Sequence, residues 1–457
     1  MMFSENHKKE MPFLGMLGMG GGIVRFGSSA ADSYYFLSLG DTNSDQARSF
    51  NIGSDDAMYM AIRRGSTGFI SKVDVDGALQ WSRTTSPVTD EDLKPQAVLL
   101  DSSDNVYAFI EQRDTSGSPS TRKMTIFKYN SSGTIQSKKH FGDQTIGGTG
   151  LFLSGGNFIF PYQASGGGAA IIELNTSLAI QAQKNFGGSG DFWVSTYEGT
   201  LLNVDSSGNI YAAAVTNAPG SQKILLFKVN SSYTLQWQKQ FDSGTNEDLN
   251  LFSSALDSSG NLYICGVRRQ SSPEHGFLIK YNSSGTFQWG KAIGSTFDEM
   301  NAVTVDSNDD VYVAGRVDGT QRPTGCSGNP MGIIKLNSGG TVQWQRVFAG
   351  QDDIDVHHIS INSKGSVVVY VTNDGTNTAG SSDVGILKVP ADGSATGSYT
   401  LGSDTIKYES MTGPSISSFT GTETTPTRTM SDLSESITAS TDSETSASLT
   451  LSIASFS

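Results

Sequence analysis

Short apolar runs alternate with polar turns along most of this chain. Between Gly276 and Val317, four runs of strand length, rich in β-branched and aromatic residues, are each closed by a turn of Asn, Asp, Ser and Gly. The turn Asn282–Gly285 joins an Asx side chain, which bonds its own backbone readily, to a glycine that tolerates positive φ. No window nearby keeps the apolar spacing of an amphipathic helix. The pattern predicts four antiparallel strands joined by hairpins.

The same four-strand unit recurs seven times, at a period of about 50 residues. Its third run ends in a turn that begins at Asp74, Asn130, Asn175, Asn230, Asn282, Asn337 and Pro390. Its fourth run carries a Gln-Trp pair in four copies, with the tryptophans Trp81, Trp237, Trp289 and Trp344. The hairpin between the first and second runs reads Asp257–Asn261 in its clearest copy, and a tyrosine, Tyr263, follows. The third copy has lost most of these residues but keeps the rhythm.

Isolated four-stranded sheets cannot each bury two faces, whereas a radial array lets every sheet pack on its neighbours. We therefore predict an all-β fold, a seven-bladed β-propeller of four-stranded antiparallel blades. The blades are expected at 47–85, 94–142, 149–187, 199–242, 250–294, 300–349 and 356–402. Ring closure needs one more strand, because an open end would expose a sheet edge. Two segments compete for that place beside Val384–Val389, namely Ser33–Gly40 and Ser398–Gly402.

The repeat divides the chain into three regions: a Gly- and Met-rich N-terminal arm at 1–32, the propeller at 33–404 and a Ser/Thr-rich tail at 405–457. The arm lacks the means to fold alone, and the tail ends in the alternating strand pattern Ala447–Ile453. We expect both ends to dock on other subunits. The predicted assembly contacts are Phe13, Leu14, Leu17, Ile23, Leu449, Leu451 and Ile453.

Composition excludes several classes of protein. The chain has 457 residues and a net charge of −14, and a nucleic-acid partner would need a basic face instead. Its two cysteines, Cys265 and Cys326, give neither a disulfide framework nor a metal motif. No run is long and apolar enough to span a membrane. Met11–Val24 resembles the core of a signal peptide, but its glycines argue against that interpretation.

Acidic residues stand just before the first strand of many units, where a propeller chain enters the innermost strand. The residues predicted to form an acidic rim of the channel are Asp92, Asp191, Asp248, Asp298 and Asp353. Such a rim would bind a cation or a basic segment of a partner. Alternatively, each carboxylate bonds backbone N–H groups of its own loop or of the neighbouring blade.

No catalytic constellation, cofactor site or metal site stands out. His357 and His358 are adjacent, and adjacent strand positions face opposite sides, so the two imidazoles are poorly placed to share one metal ion. The Gln-Trp pairs recur at one register position, which favours packing between blades over sugar stacking. A carboxylate pair for glycoside hydrolysis is set by the fold rather than by sequence spacing, and no pair is distinguished.

The repeat resembles the SBBP type of bacterial β-propeller repeat. The resemblance is carried by the Asp-Ser-Ser-Gly-Asn turn with its tyrosine, the Lys-Tyr-Asn-Ser-Ser-Gly turn and the Gln-Trp strand, and it covers about 47–400. It implies the propeller fold and says little about function. The whole layout, from the MPFLGMLGMGGG start to the Ser/Thr-rich tail, resembles structural proteins of marine tailed phages, cyanophages among them.

The resemblance implies a non-enzymatic virion component of a tail, fibre or decoration site, in which the propeller is a rigid docking or host-binding block. Its partners would be other virion or surface subunits, with a host-surface glycan as a further ligand, and it would form part of a homo- or hetero-oligomer. One alternative is an extracellular or cell-surface lectin-like propeller that binds glycans. A second is a glycosidase or lyase.

Overall fold

The computed structural model describes residues 21–28, 32–40, 43–85, 91–114, 122–141, 151–153, 156–163, 169–185, 191–192, 201–218, 221–244, 247–269, 274–293, 299–375, 382–401, 404–411, 416–424 and 431–432. Within these ranges the regular elements are strands in seven antiparallel sheets, plus one turn of 3-10 helix at Gly319–Gln321. The prediction of a seven-bladed β-propeller is confirmed. The described part contains no helix long and apolar enough to cross a membrane.

Two strands precede the first blade. They are β1 (Gly21–Ser28) and β2 (Ser33–Leu39). Blade one contains β3 (Asp45–Ile52), β4 (Met58–Arg64), β5 (Thr67–Val73) and β6 (Leu79–Thr85). Blade two contains β7 (Glu91–Leu100), β8 (Val106–Asp114), β9 (Arg122–Tyr129) and β10 (Ile135–Phe141). Blade three contains β11 (Leu151–Phe152), β12 (Phe158–Gln163), β13 (Ala169–Leu174) and β14 (Ile180–Asn185), so the degenerate third copy is a blade.

In blade four the innermost position is shared by two short strands. That blade contains β15 (Asp191–Phe192), β16 (Leu202–Val204), β17 (Ile210–Ala218), β18 (Ser221–Val229) and β19 (Leu235–Asp242). Blade five contains β20 (Asp248–Leu256), β21 (Leu262–Arg269), β22 (His275–Tyr281) and β23 (Phe287–Ile293). Blade six contains β24 (Ala302–Val305), β25 (Val311–Arg316), β26 (Met331–Leu336) and β27 (Val342–Ala349). The first three strands of blade seven are β28 (Asp353–Ile361), β29 (Val367–Asp374) and β30 (Ser382–Val389).

The remaining strands follow the seventh blade. They are β31 (Gly397–Leu401), β32 (Asp404–Ser410), β33 (Ile416–Ser418), β34 (Thr422–Thr424) and β35 (Ser431–Asp432). Each adds to the outer edge of a blade formed earlier in the chain. Residues whose composition placed them in a Ser/Thr-rich tail therefore extend four of the blades.

The polar turns fix the hairpins as their residue types predict. In Asp257–Asn261 the carboxylate oxygen Oδ1 accepts the backbone N–H groups of Ser259 and Asn261, at 3.0 and 2.8 Å. Gly260 takes φ +73° and donates its N–H to the Asp257 carbonyl at 3.0 Å. The side chain and the glycine together satisfy the backbone of the turn, so the two strands leave it in register.

The ring is closed by the N-terminal strand. β2 pairs with β30 from Tyr35 opposite Lys388 to Leu39 opposite Val384, and so becomes the fourth strand of blade seven. The competing segment lies in β31 instead, outside blade six and paired with β32. β1 continues past β2 as a fifth strand of blade seven. The first and last blades are thus joined by backbone hydrogen bonds between the two ends of the chain.

The core lies between neighbouring blades. Large side chains such as Tyr211, Tyr263 and Tyr312 are fully buried there, among the β-branched residues of the next sheet. Burial of an aliphatic or aromatic side chain is worth about 1.5–3 kcal/mol, and each blade contributes several on both faces. The innermost strands β3, β7, β20, β24 and β28 meet side by side around the centre of the ring.

Candidate functional site

A cavity of about 330 Å³ lies between the innermost strands of blades four to seven. It is lined by Leu202, Asn203 and Val204 of β16, Ser253, Ser254 and Ala255 of β20, Val303 and Thr304 of β24, and His358, Ile359 and Ser360 of β28. Equivalent positions of successive blades meet here, because each inner strand presents its middle and last residues to the centre. A cavity of this size is at the lower end of the range for small-molecule sites.

The polar groups of the cavity are neutral amides, hydroxyls and an imidazole. Asn203 donates its side-chain N–H to the Ser254 hydroxyl at 2.7 Å, which links blade four to blade five across the wall. Thr304 and Ser360 add further hydroxyls. None of the lining residues is a carboxylate, so the described wall offers hydrogen bonds and no charge.

The two histidines of β28 play different parts. His357 bonds through Nε2 to the Thr372 hydroxyl at 2.8 Å, whereas His358 lines the cavity with its ring 5.8 Å from that of Phe50. Burial lowers the pKa of His358 to about 4, and burial together with the charge of Arg48 lowers the pKa of His357 to about 3. Both imidazoles are therefore neutral at pH 7. Among the described residues, no group of three or more His, Cys, Asp and Glu is arranged to hold a metal ion.

Three of the five predicted rim carboxylates, Asp92, Asp248 and Asp353, have described side chains, and two of these bond to a neighbouring blade. Asp248 of blade five accepts the backbone N–H of Gln222 in blade four at 2.7 Å. Asp353 of blade seven accepts the backbone N–H of Asn329 in blade six, also at 2.7 Å. These contacts follow the alternative interpretation, in which the carboxylate ties its strand to the neighbouring blade.

The other three rim residues differ. Asp92 pairs with Lys94 on its own strand at 2.8 Å. The Asp191 backbone belongs to β15, while its side chain lies outside the described part of the structure, as does the whole of Asp298. The three described carboxylates, Asp92, Asp248 and Asp353, thus each have a different partner, and each holds its strand in place locally.

Sequence reasoning missed one acidic pair, on the first two strands of blade seven. Burial raises the pKa of Asp355, and the charges of Asp374 and Asp353 add to the increase. The pKa of Asp374 is also raised, by burial first and then by Asp353 and Asp352, although a hydrogen bond with Ser382 opposes the change. Asp355 belongs to a visible acidic run, but Asp374 is a single Asp at a strand end and gave no signal.

The Gln-Trp tryptophans pack between blades, which confirms the packing interpretation. Trp344 donates its indole N–H to the Ala391 carbonyl in the next blade at 3.0 Å. Its ring covers Gly393, where an added Cβ would lie 2.8 Å from the indole. The same bond joins Trp81 to Ser131 at 3.0 Å, Trp237 to Ser283 at 3.1 Å and Trp289 to Ser338 at 3.3 Å.

Of the predicted assembly contacts, only Ile23 falls in the described ranges. It is half-buried on β1 and packs on its own chain, next to a cluster that includes Tyr35 and Leu37 of β2. The other six, Phe13, Leu14, Leu17, Leu449, Leu451 and Ile453, lie outside the described residues.

No family model matches this chain, and no curated protein matches it. Among solved structures it is similar to an uncharacterised protein of Listeria monocytogenes, with 9% identity over 72% of this chain and 92% of that one and a TM-score of 0.40. It is also similar to a protein of unknown function from Dyadobacter fermentans, with 11% identity, 82% and 100% coverage and a TM-score of 0.40. A third likeness is to a PL25 polysaccharide lyase, an ulvan lyase, with 6% identity, 77% and 96% coverage and a TM-score of 0.42. The fold is established by the chain's own sheets, and its function has to be argued from its own residues.

Proposed function

We propose that this chain is a non-enzymatic structural and interaction protein, a virion component of a tailed phage in which the propeller serves as a rigid docking block. The observation that carries the docking-block role is the set of side-chain hydrogen bonds between neighbouring blades. They join side chains at fixed register positions to the turns of the next blade, and they recur around the ring.

One set of ties uses the hairpin turns. Ser258 donates its backbone N–H and its hydroxyl to Asp309 of the next blade, both at 2.8 Å. Ser54 makes the same pair of bonds to Asp104, and Ser363 to Asp56, the latter joining blade seven to blade one. The aspartates Asp56, Asp104 and Asp309 adopt φ near +60°, which orders the carboxylate toward the neighbouring blade.

A second set of ties uses long cationic side chains. Arg346 donates Nε–H to the Gly393 carbonyl at 2.6 Å, and Lys280 donates to the Ser338 carbonyl at 2.9 Å. Each bond is worth about 1 kcal/mol, and bonds of this kind at several joints between described blades oppose relative motion of those blades. A ring whose blades are held together by such bonds is rigid. Rigidity suits a load-bearing structural role better than a binding site that must open and close.

The character of the central cavity supports a role without catalysis. Its described walls present neutral groups. The titratable side chain among the described lining residues, His358, has a pKa of about 4, far from the value that suits a general base at pH 7. The assignment to a virion rests on the layout of the sequence: a Met- and Gly-rich start, a propeller and a Ser/Thr-rich tail. In this proposal Phe13, Leu14 and Leu17 contact neighbouring virion subunits.

The test is the composition of purified phage particles. We expect the full chain in gradient-purified virions at a fixed copy number, and cross-linking mass spectrometry should join residues 1–20 to another subunit. A chain that lacks residues 1–20 should be lost from particles while its unfolding midpoint stays that of the full chain. Recovery of the protein only in the soluble fraction of the lysate would contradict the proposal.

The cavity favours a second candidate function, the binding of a neutral glycan by the channel. Sugar hydroxyls match the amide of Asn203 and the hydroxyls of Ser254 and Thr304 in hydrogen-bonding capacity. A glycan array probed with the native chain and with Asn203→Ala tests it. Binding that is weakened at least about tenfold by this variant supports the glycan site, in line with the loss of about one or two hydrogen bonds. Equal binding by both chains excludes the cavity.

A further inference from the structure

Four strands of the C-terminal segment lie on the outer edges of four successive blades, in reverse order around the ring. β32 pairs with β27 of blade six, and β33 with β23 of blade five. β34 pairs with β19 of blade four, and β35 with β14 of blade three. We call the described residues of this segment, 404–411, 416–424 and 431–432, the belt.

The belt meets each of these four blades at the same register position. Its partners are Arg346–Ala349 in blade six, Lys291–Ile293 in blade five, Gln240–Asp242 in blade four and Lys184–Asn185 in blade three. In each case these are the last residues of the outer strand, starting two or three positions after the Gln-Trp tryptophan or its equivalent. All four pairings are antiparallel, so the chain keeps one direction as it passes from blade to blade.

Between blades the belt inserts apolar side chains into the grooves. Met411 is buried in the cluster between blades six and five, and its N–H donates to the Gln345 carbonyl at 3.3 Å. Phe419 is buried between blades five and four, with its ring 5.6 Å from that of Phe241, and its N–H donates to the Gly290 carbonyl at 2.9 Å. The two carbonyls occupy the same register position. The belt is therefore attached by a repeated scheme.

Two outer edges have no fifth strand among the described residues: β10 of blade two and β6 of blade one. On blade seven that position is taken by β1. The register of the belt places the equivalent positions at His140–Phe141 of β10 and Arg83–Thr85 of β6. Edge strands of this kind pair readily with an extended chain.

We propose that the outer edges of β10 and β6 are docking sites for residues 433–457 of the same chain, which continue the belt to blades two and one. The belt uses about eight residues per blade, or about 26 Å of extended chain at the rise of a β-strand. Continued at that pace, it reaches β10 near residue 439 and β6 near residue 447, and the chain has length enough for both.

The residues of the segment 433–457 and those of the β10 edge are chemically compatible. Residues 433–457 carry Glu435, Asp442 and Glu444 and no basic residue, while Lys138 on β10 is exposed. Ala447, Leu449, Leu451 and Ile453 alternate with Ser and Thr, which is the pattern of a strand with one covered face. Met411 and Phe419 directly follow β32 and β33, and Leu433 directly follows β35, so Leu433 is the equivalent apolar residue for the groove between blades three and two.

Hydrogen exchange of three chains tests the proposal: the full chain, one that ends at residue 444 and one that ends at 432. In the full chain the outward amides of both His140–Phe141 and Arg83–Thr85 are protected. The chain ending at 444 loses protection of β6 alone, and the chain ending at 432 loses both, with exchange at least about tenfold faster in each case. The edges of β19 and β27, which pair with β34 and β32, serve as controls and keep their rates in all three chains.

A double substitution provides the matched control without shortening the chain. Thr438→Pro with Ala439→Pro removes the N–H groups available to β10, so protection of β10 falls and that of β6 is kept. Equal exchange at both edges in all chains overturns the proposal. Protection that falls on dilution, together with a dimer mass that truncation at 432 abolishes, assigns the edges to the tail of a second copy and equally overturns the same-chain assignment.

Discussion

Lys388, buried in the third strand of blade seven, pairs with Asp32, which stands 356 residues earlier in the chain. In blades four and five the equivalent lysine pairs with the aspartate of its own hairpin turn, as Lys280 does with Asp257 at 3.5 Å. Blade seven has Asn362 at that turn position, so it lacks the carboxylate. Asp32 supplies it, and also accepts a hydrogen bond from the Asn362 amide at 3.0 Å.

This pair makes ring closure sensitive to one carboxylate. Asp32→Ala leaves the Lys388 ammonium buried without its partner, and we expect the free energy of unfolding to fall by about 3–5 kcal/mol. Urea unfolding followed by fluorescence measures the loss. The double variant Asp32→Ala with Lys388→Met removes the charge as well and should recover most of it. A double variant no more stable than the single one would show that the loss arises elsewhere.

The contact between Trp344 and Gly393 predicts a stability difference between two glycines of blade seven. Gly393 and Gly365 both have positive φ, +70° and +82°, and both donate to the first residue of their turn at 3.0 Å. Alanine at either strains the backbone by about 1 kcal/mol. Only at Gly393 does the new Cβ meet an indole ring, whereas at Gly365 nothing lies within 4 Å.

We therefore expect Gly393→Ala to be less stable than Gly365→Ala by about a further 1–3 kcal/mol, the usual range for overpacking. Thermal or chemical unfolding of both variants beside the native chain measures it. Equal losses in the free energy of unfolding would mean that the turn moves away from Trp344 at little energetic cost, and that the packing between this tryptophan and the next blade is easily deformed.

The buried histidines predict how stability depends on pH. The pKa values of about 4 for His358 and about 3 for His357 lie below the ordinary value of 6.5. Between pH 6.5 and the pKa of each folded histidine, the unfolded chain binds protons that the folded chain does not. The stability contributed by the two neutral histidines is therefore complete above pH 6.5 and declines as the pH falls. The slope is up to about 1.4 kcal/mol per pH unit for each histidine.

Unfolding in urea at several pH values between 7.5 and 5 measures this slope. His358→Gln removes one titrating group and should give a shallower slope than the native chain. The raised pKa values of Asp355 and Asp374 act in the opposite sense at low pH, but they are common to both chains and cancel in the comparison. Identical slopes of the free energy of unfolding against pH would mean that His358 is more exposed to solvent than its contacts indicate.

Phe419 predicts the release of part of the belt. Its side chain is buried against the rings of Phe241 and Phe277, with centroids 5.6 and 5.5 Å away. Phe419→Ala should cost about 3 kcal/mol of local stability, so that amides of 416–424 exchange faster while those of the inner strands keep their rates. Thr422→Ala, at an exposed position of β34, should leave exchange within experimental error of the native chain.

Sequence patterns predicted the blades because each hairpin is specified locally. The Asx turns, as in Asp257–Asn261, and the tryptophans with their glycines recur at fixed spacing, so the period gave both the number of blades and the packing of Trp344. The identity of the closing strand was left open between Ser33–Gly40 and Ser398–Gly402. Pairing between distant segments decides that choice, and both candidates have the same alternating pattern.

The belt escaped prediction for a different physical reason. β33, β34 and β35 are held largely by backbone hydrogen bonds to an existing edge, and such pairing asks little of side chains. Thr422–Thr424, for example, is exposed along its length and has no apolar alternation. Asp248 and Asp353 show the same limit: a bond to the neighbouring blade was one of the two interpretations, but sequence spacing could not identify the partners, Gln222 and Asn329.

The N-terminal strand that completes blade seven has a consequence during synthesis. β2 leaves the ribosome early, yet its partner β30 is translated only when nearly the whole ring exists. At typical rates of 5–20 residues per second, the nascent chain must hold that edge unpaired for roughly 20–70 s. During this time the incomplete protein exposes an unpaired strand edge that can pair with other chains. A chaperone that covers about the first 40 residues would therefore raise the yield of folded protein more than one that acts later.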